Sequence, residues 1–546
     1  MATAPTTTPA PPPPRAPRRA RPVPARHPGT RVTISTAPRL AAVDIGTNSI
    51  RLVIAEVQPD GSYRVLDEDR EMSRLGRGLY AAGRIAEAPF DQSLAALGRM
   101  KAIADGFGVT DLRAIATSAV REATNGAEFV REAWRRTRVR IDVVSGDEEA
   151  RLAFRSVARH YELDGRLAAI VDIGGGSAEV ILAAGGVVEQ MFSLPLGAVR
   201  LTEQYAKSDP LRPKHWRALR RAIDTAVDEG IGKPAFVAEV MIGSGGTFTN
   251  LAEMAQAERD GRVTGARDYT LSSADLKRLV DRLRETPLEG RRRIPGLNPQ
   301  RADIIVAGAA VVSRLARRFD TQRVLVNDRG VRDGVLLTMI DDLTGGTKLR
   351  AAAVDRMEVV RRFARACRSN ERHCEHVAKL AVLLFDALRD AYALPPAGRD
   401  ILTAAALLHD IGYLIHHEQH HKHAYHLIMN GDLRGFSARE VELIANVARY
   451  HRRAFPKKSH GNLARLDKGE RRLVRRLSGI LRVADGLDRT HGQLMTGIKC
   501  RVGDGWVRLR VTATSDPAID LEDAKRKAGL LERAFQTELS LTSGQK

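Results

Sequence analysis

Two aspartates in this chain occupy the same local context. Residues 42–49 read AVDIGTNS and residues 170–177 read IVDIGGGS, so Asp44 and Asp172 each close an apolar run and are followed at once by a glycine turn. Such a turn sets a carboxylate beside a row of unpaired backbone N–H groups. The amides form a nest for an anion, and the carboxylate can hold a cation directly or through water. Thr47, Asn48 and Ser49 add donors to the first turn. In the second, Gly174 is followed by Gly175 and Gly176, which let the backbone approach a ligand with no Cβ in the way, and by Ser177. GSGG at 243–246, with Gly245, is a third turn of the same type. Two facing copies would hold a phosphate chain and its Mg²⁺ between them. There is no GxxxxGK[ST], and no expected strand runs into GxGxxG, so the P-loop and the dinucleotide fingerprint are excluded.

The turns must be carried by strands. RLAAVDIG reads as a buried strand and SIRLVIAEV as its antiparallel return, and LAAIVDIGGGSAEVIL repeats the pattern further on. Hairpins then alternate with helical stretches, which predicts two similar α/β units over 39–165 and 166–346. From 347 the texture becomes helical to about 497: HVAKLAVLLFDALRDAY spaces Val377, Leu380, Ala381, Leu384 and Phe385 along one face. A tail over 498–546 reads as a hairpin turning at Asp504-Gly505, then one helix.

Six motifs now stand in order: DIGTNSIRLVIAEV, ATSAVREATN (116–125), VSGDEEARLAF (144–154), VDIGGGSAEVIL, SLPLGAVRLTE (193–203) and RGVRDGVLL (329–337). The paired turns resemble the actin, Hsp70 and sugar-kinase superfamily. The six motifs together resemble the exopolyphosphatase/guanosine pentaphosphate phosphatase family. The resemblance implies two actin-like (ribonuclease H-like) domains and hydrolysis of a terminal phosphoanhydride, a reaction that needs in-line water, charge neutralisation and a water-orienting carboxylate. By match to the family, Glu149 positions the water, Asp44 and Asp172 hold Mg²⁺, and Ser49, Gly175, Gly176 and Ser177 donate to phosphate. Arg121 faces the polyphosphate, with Arg51 and Arg74 as weaker candidates. Acids at 147–149 would otherwise read as ordinary residues of a helix N-terminus. A homodimer is inherited from the same likeness. Inorganic polyphosphate is the expected substrate and guanosine pentaphosphate the alternative. A kinase or ATPase of the superfamily is disfavoured, because no acceptor-binding domain separates the halves.

The helical stretch carries HCEH (373–376), HD (409–410), HHEQHHKHAYH (416–426), His451 and Asp485. His417-Glu418 with His421 imitates a zincin signature but sits in a polar tract after a glycine. HCEHVAKLA, LLHDIGY and LRVADGLD instead resemble the HD-type phosphohydrolases, an all-α fold. That resemblance implies a second divalent metal held by His373, His409, Asp410 and Asp485, with HKHAYHLI adding His421; imidazole with carboxylate suits a transition metal.

Composition sets the frame. A chain of 546 residues with 43% hydrophobic and 28% charged residues has material for several domains. Three cysteines, Cys367, Cys374 and Cys500, are too few for a disulfide framework. The net charge of +21 suits a polyanionic partner. A nucleic-acid-binding regulator is the reading from another class, and it predicts salt-sensitive binding that survives loss of Glu149. Residues 1–38, rich in proline and arginine and free of acids, read as a disordered tail with no apolar core of a secretory signal. No run is long enough to span a membrane, and a cytoplasmic location is expected.

Overall fold

The computed structural model describes residues 37–59, 61–348, 355–431, 433 and 435–544. Apart from residues 37 and 38, the expected basic tail lies outside the described residues.

The repetition in sequence is a repetition in topology. In the first sheet β1 (Arg39–Ile45), β2 (Ile50–Val57) and β3 (Tyr63–Glu71) form an antiparallel meander, and β4 (Asp111–Ala116) and β5 (Ile141–Val143) continue parallel to β1, giving the order β3-β2-β1-β4-β5. In the second, β6 (Leu167–Ile173), β7 (Ala178–Ala184) and β8 (Val187–Leu194) repeat the meander. There β9 (Val240–Ser244) and β11 (Arg323–Val326) run parallel to β6, and β10 (Thr270–Ser272) adds an antiparallel edge. Each hairpin register sets a charged residue opposite the aspartate: Asp44 faces Arg51, and Asp172 faces Glu179.

Strand alternation decides what covers each face. Ala41, Val43 and Ile45 pack under Leu94, Leu97 and Phe129 of the helices Glu87–Gly106 and Gly126–Thr137. Leu40 and Ala42 turn the other way, against Val335, Leu336 and Ile340 of the helix Val331–Lys348. In the second sheet Val171 and Ile173 face Leu251 and Val311, whereas Ala168 and Ile170 face Ala150 and Val157 of the helix Gly146–His160. The two inner helices are therefore exchanged. The helix that chain order puts at the end of 166–346 covers the first sheet, and the one read within 39–165 covers the second. An amphipathic pattern shows that a helix has an apolar face, and not which sheet receives it. The exchanged helices touch where a Cβ on Gly334 would lie 2.1 Å from the Leu152 carbonyl oxygen, so glycine is required there.

From Arg356 onward the helices Arg356–Ala366, Glu371–Arg389, Ala397–Leu408, His420–Asn430, Ala438–Arg449 and Lys468–Gly486 share a core that continues into the second sheet's. The tail differs from the expected hairpin and single helix. β12 (Met495–Gly503) and β13 (Trp506–Ala513) form the hairpin, but the helical stretch divides into Ala518–Lys527 and Gly529–Phe535, and β14 (Glu538–Gly544) joins β13 in parallel. β14 is amphipathic, with Leu539 and Leu541 buried between exposed neighbours, and its period of two is too short to stand out after a helix. The tail is docked rather than separate: Gly479 and Gly486 admit the backbones of Leu531 and Ala524 at distances a Cβ would forbid.

Candidate active site

The inner faces of the two sheets open onto a cleft of about 760 Å³, lined by all three glycine turns. The first two turns close identically, Gly46 N–H donating to Ser49 O and Gly174 N–H to Ser177 O, both at 3.1 Å. The carbonyls of Gly174, Gly175 and Gly176 accept from the amides of residues 197–200, where the helix Ala198–Tyr205 begins. The second turn thus caps that helix.

Gly175 and Gly176 serve a purpose besides ligand access. A Cβ on Gly175 would lie 2.8 Å from the Thr47 Cβ, and one on Gly176 would lie 2.2 Å from Ser118 Oγ. The glycines are needed because the two halves touch there. Gly245, at φ +94°, is required for another reason: its Cβ would meet Asp172 Oδ1 at 2.7 Å.

Among the carboxylates that line the cleft are Asp44 and Asp172 near the ends of β1 and β6, Glu179 opposite Asp172, and Glu149 in the first turn of its helix. Ser145 caps that helix by accepting from the Glu148 amide. Burial pushes Glu149 up to about 7 against the pull of Arg121, and Asp44 and Asp172 add to the rise. Burial likewise lifts Asp172 to about 6 and raises Asp44. Glu179, also buried and close to Glu149 and Asp172, is raised further, although Ser193 Oγ donates to it at 3.0 Å.

Arg51, Arg70, Arg301 and Arg332 line the same cleft, and Arg51 repels the other three. Arg301 is 4% exposed; burial, with Arg51 and Arg70 nearby, lowers its guanidinium to about 9, and its Nε has no partner. Burial, Arg51 and Arg332 bring Arg70 down to about 10, and Arg332 is lowered as well. Nδ2 of Asn48 is a second buried donor without a partner. Unpaired buried donors and crowded cations mark a place built for an anion.

The structure brings together Asp44, Thr47, Asn48, Ser49, Gly174, Gly175, Gly176, Ser177, Gly245, Asp172 and Glu149 on this cleft, with Arg51. Arg121 lies behind it. Its Nη1 donates to Glu149 Oε2 at 3.1 Å and to Val144 O at 2.7 Å, and the side chain lines a groove of about 520 Å³ that meets the cleft at Ser177. Arg74 is a strut, bonded to Asp303 at 2.9 Å and to the Gln300 carbonyl. Sequence reasoning missed Glu179, Arg70, Arg301 and Arg332. Two were within reach: Glu179 is seven residues past Asp172 as Arg51 is past Asp44, and Arg70 faces Arg51 across the next hairpin.

A second cluster lies in the helical region. His373, His409, His420 and His451 are each at most 2% exposed. Their Nδ1 atoms are anchored to Asp488, Ala406 O, His417 O and Ala448 O, at 2.7–3.0 Å. Asp485 Oδ1 lies 3.6 Å from His373 Nε2, and Lys527 holds the other oxygen at 2.8 Å. His421 is not in the cluster. The helix from His420 turns that ring outward to a surface pocket, and His420 points inward in its place. Both lie in the HHEQHHKH run, and the choice depends on Gln419, whose φ of +62° starts the helix.

The chain matches the Ppx/GppA phosphatase family over residues 53–343 and that family's domain III over 356–516. It belongs to this family, whose solved members share the actin-like architecture. One similar structure is an exopolyphosphatase from Cytophaga hutchinsonii, 27% identical, aligned over 56% of this chain and 98% of the other with a TM-score of 0.53. An exopolyphosphatase-like protein is 28% identical over 56% and 99%, also with a TM-score of 0.53. An Aquifex aeolicus family member is 29% identical over 56% and 98%, with a TM-score of 0.49. The chain is thus a phosphatase of this family. No helix among the described residues is long and apolar enough to cross a membrane.

Proposed function

We propose that the chain is a Mg²⁺-dependent exopolyphosphatase that removes orthophosphate from the end of inorganic polyphosphate. The observation that carries the reading is the pairing, in one cleft, of Asp44, Glu149, Asp172 and Glu179, all held above the ordinary carboxylate range, with Arg70, Arg301 and Arg332, all lowered by burial and by Arg51. A cation relieves the first group and a polyanion the second. Asp44 and Asp172 supply hard oxygen donors suited to Mg²⁺, which would neutralise charge on the phosphoryl group. The freed amides of the glycine turns, with Thr47, Asn48, Ser49 and Ser177, hold the terminal phosphate, and Arg51, Arg70, Arg301 and Arg332 hold the phosphates behind it. Glu149, ionised, orients water in line with the terminal anhydride and takes its proton, and Arg121 fixes the carboxylate from behind.

Guanosine pentaphosphate is the second substrate to test, since it presents the same terminal anhydride. The cleft lining among the described residues includes no aromatic ring on which a guanine would stack, which favours the inorganic polymer. The helical region is read as an HD-like domain with a divalent metal at His373, His409, Asp410 and Asp485; the family likeness supports a homodimer. The test is orthophosphate release with Mg²⁺ from long polyphosphate and from guanosine pentaphosphate, by wild type and Glu149→Gln. Faster release from polyphosphate that collapses in the variant is expected. Equal release by the variant would overturn the assignment.

A further inference from the structure

An enzyme that trims a polymer from its end discards one orthophosphate per turnover while the polymer still fills the approach. In-line attack sets the water, the phosphorus and the leaving oxygen on one line, so the new orthophosphate forms between Glu149 and the shortened chain. The chain closes one side. Behind Glu149 on the other lies the groove of about 520 Å³ that meets the cleft at Ser177. What parts the two spaces there is Ser177 and one ion pair: Glu149 lines the cleft, Arg121 lines the groove, and they meet at 3.1 Å.

The lining of the groove suits a single phosphate. Arg121 makes both of its side-chain hydrogen bonds through Nη1, to Glu149 and to Val144 O, which leaves Nε and Nη2 as donors among the described residues. Arg200 gives Nε to the Gly176 carbonyl at 2.7 Å and Nη2 to both oxygens of Glu122 at 2.6 Å, which leaves Nη1. The helix Gly146–His160 begins in the same groove, and its first amides, at Gly146 and Asp147, have no partner within the helix. Guanidinium groups and helix-start amides are the donors that recognise phosphate oxygens. A Cβ on Gly146 would lie 2.6 Å from Ser193 Oγ, so the helix start is held against the end of β8 as one wall.

The charges in the groove balance. Arg121 and Arg200 are offset by Glu122 and Asp147, so the lining passes a phosphate on without retaining it and offers a long polyanion no net attraction. Arg51, Arg70, Arg301 and Arg332, by contrast, all line the cleft itself.

Resting on the exopolyphosphatase reading and deepening it, we propose that orthophosphate leaves through this groove, past Arg121 and Asp147, while the shortened polymer stays in the cleft. Product and polymer are then held side by side, and each is released without displacing the other.

The test is inhibition by unlabelled orthophosphate of the release of label from uniformly radiolabelled long polyphosphate with Mg²⁺. In wild type, added orthophosphate should lower kcat and leave KM unchanged, the pattern of a product bound beside the polymer. Asp147→Arg puts a cation on the route and should lower the inhibition constant of orthophosphate about tenfold. Glu148→Arg makes the same change at the next exposed residue, outside the groove lining, and should be inhibited as wild type is. Melting temperatures of both variants report on folding. Orthophosphate that raises KM and leaves kcat unchanged shares the polymer's site, which would overturn the exit and leave the exopolyphosphatase reading intact. Equal inhibition constants in Asp147→Arg and Glu148→Arg would do the same. No release of label by wild type would sink the function and the exit together.

Discussion

Replacing Glu149 by glutamine should raise stability while it removes activity. Glu149 is 6% exposed, and its carboxyl rises from 4.5 to about 7, chiefly through burial, with Asp44 and Asp172 adding to the effect. That displacement disfavours the ionised form in the metal-free fold by about 3 kcal/mol. The folded state binds the proton more tightly than the unfolded one, so the cost is full above pH 7, shrinks as pH falls, and is gone below 4.5. Glutamine never ionises, and Arg121 keeps its bond to the Val144 carbonyl. In EDTA at pH 8 the variant should therefore melt higher by about 6 °C, taking about 2 °C per kcal/mol for a large domain. At pH 4.5 the two proteins should melt together. Saturating Mg²⁺ should narrow the gap at pH 8 by stabilising wild type. Orthophosphate release should fall by ~10²–10⁴, the worth of a positioned base. A variant that melts lower at pH 8, or a gap that persists at pH 4.5, would refute the account of buried charge.

Other expectations follow from the same geometry. Gly334→Ala forces a methyl into the Leu152 carbonyl and should cost about 1–3 kcal/mol, seen as a lower melting temperature. Gly176→Ala pushes the second turn off Ser118 and should reduce orthophosphate release more than tenfold at little cost in stability, checked by parallel activity and melting measurements. Arg301→Gln should raise KM for long polyphosphate about tenfold with a smaller change in kcat, and should flatten the salt dependence of KM. Because burial lifts Asp172 to about 6, protons compete with the cation as pH falls through that value. The Mg²⁺ concentration for half-maximal activity should rise about twofold from pH 7 to 6 and approach about tenfold per pH unit below 6.

What could be read in the sequence was local and repeated. Val-Asp-Ile-Gly twice, each before a returning strand, gave the sheets and the turns, because hairpin and glycine chemistry is written in neighbouring residues. Glu149 came from a motif and lies on the cleft. What remained hidden depends on contacts between distant segments. Arg301 enters from a short turn far from either repeat, the inner helices exchange sheets, and Gly175 answers to Thr47 across the cleft. His420 against His421 was decided by one backbone angle, which no residue pattern encodes.

The hairpin register that sets Arg51 against Asp44 sets Glu179 against Asp172. The two halves are copies in topology and opposites in charge at that one position. A symmetric pair would let a phosphate chain lie in the cleft either way round with equal energy. With a cationic group on one flank and an anionic group on the other, a phosphate chain bound as proposed would have its interior drawn toward Arg51 and its end toward Glu179 and Glu149. Reversing both, as in Arg51→Glu with Glu179→Arg, would test whether the direction of threading is written in this single mismatch between two otherwise equivalent strands.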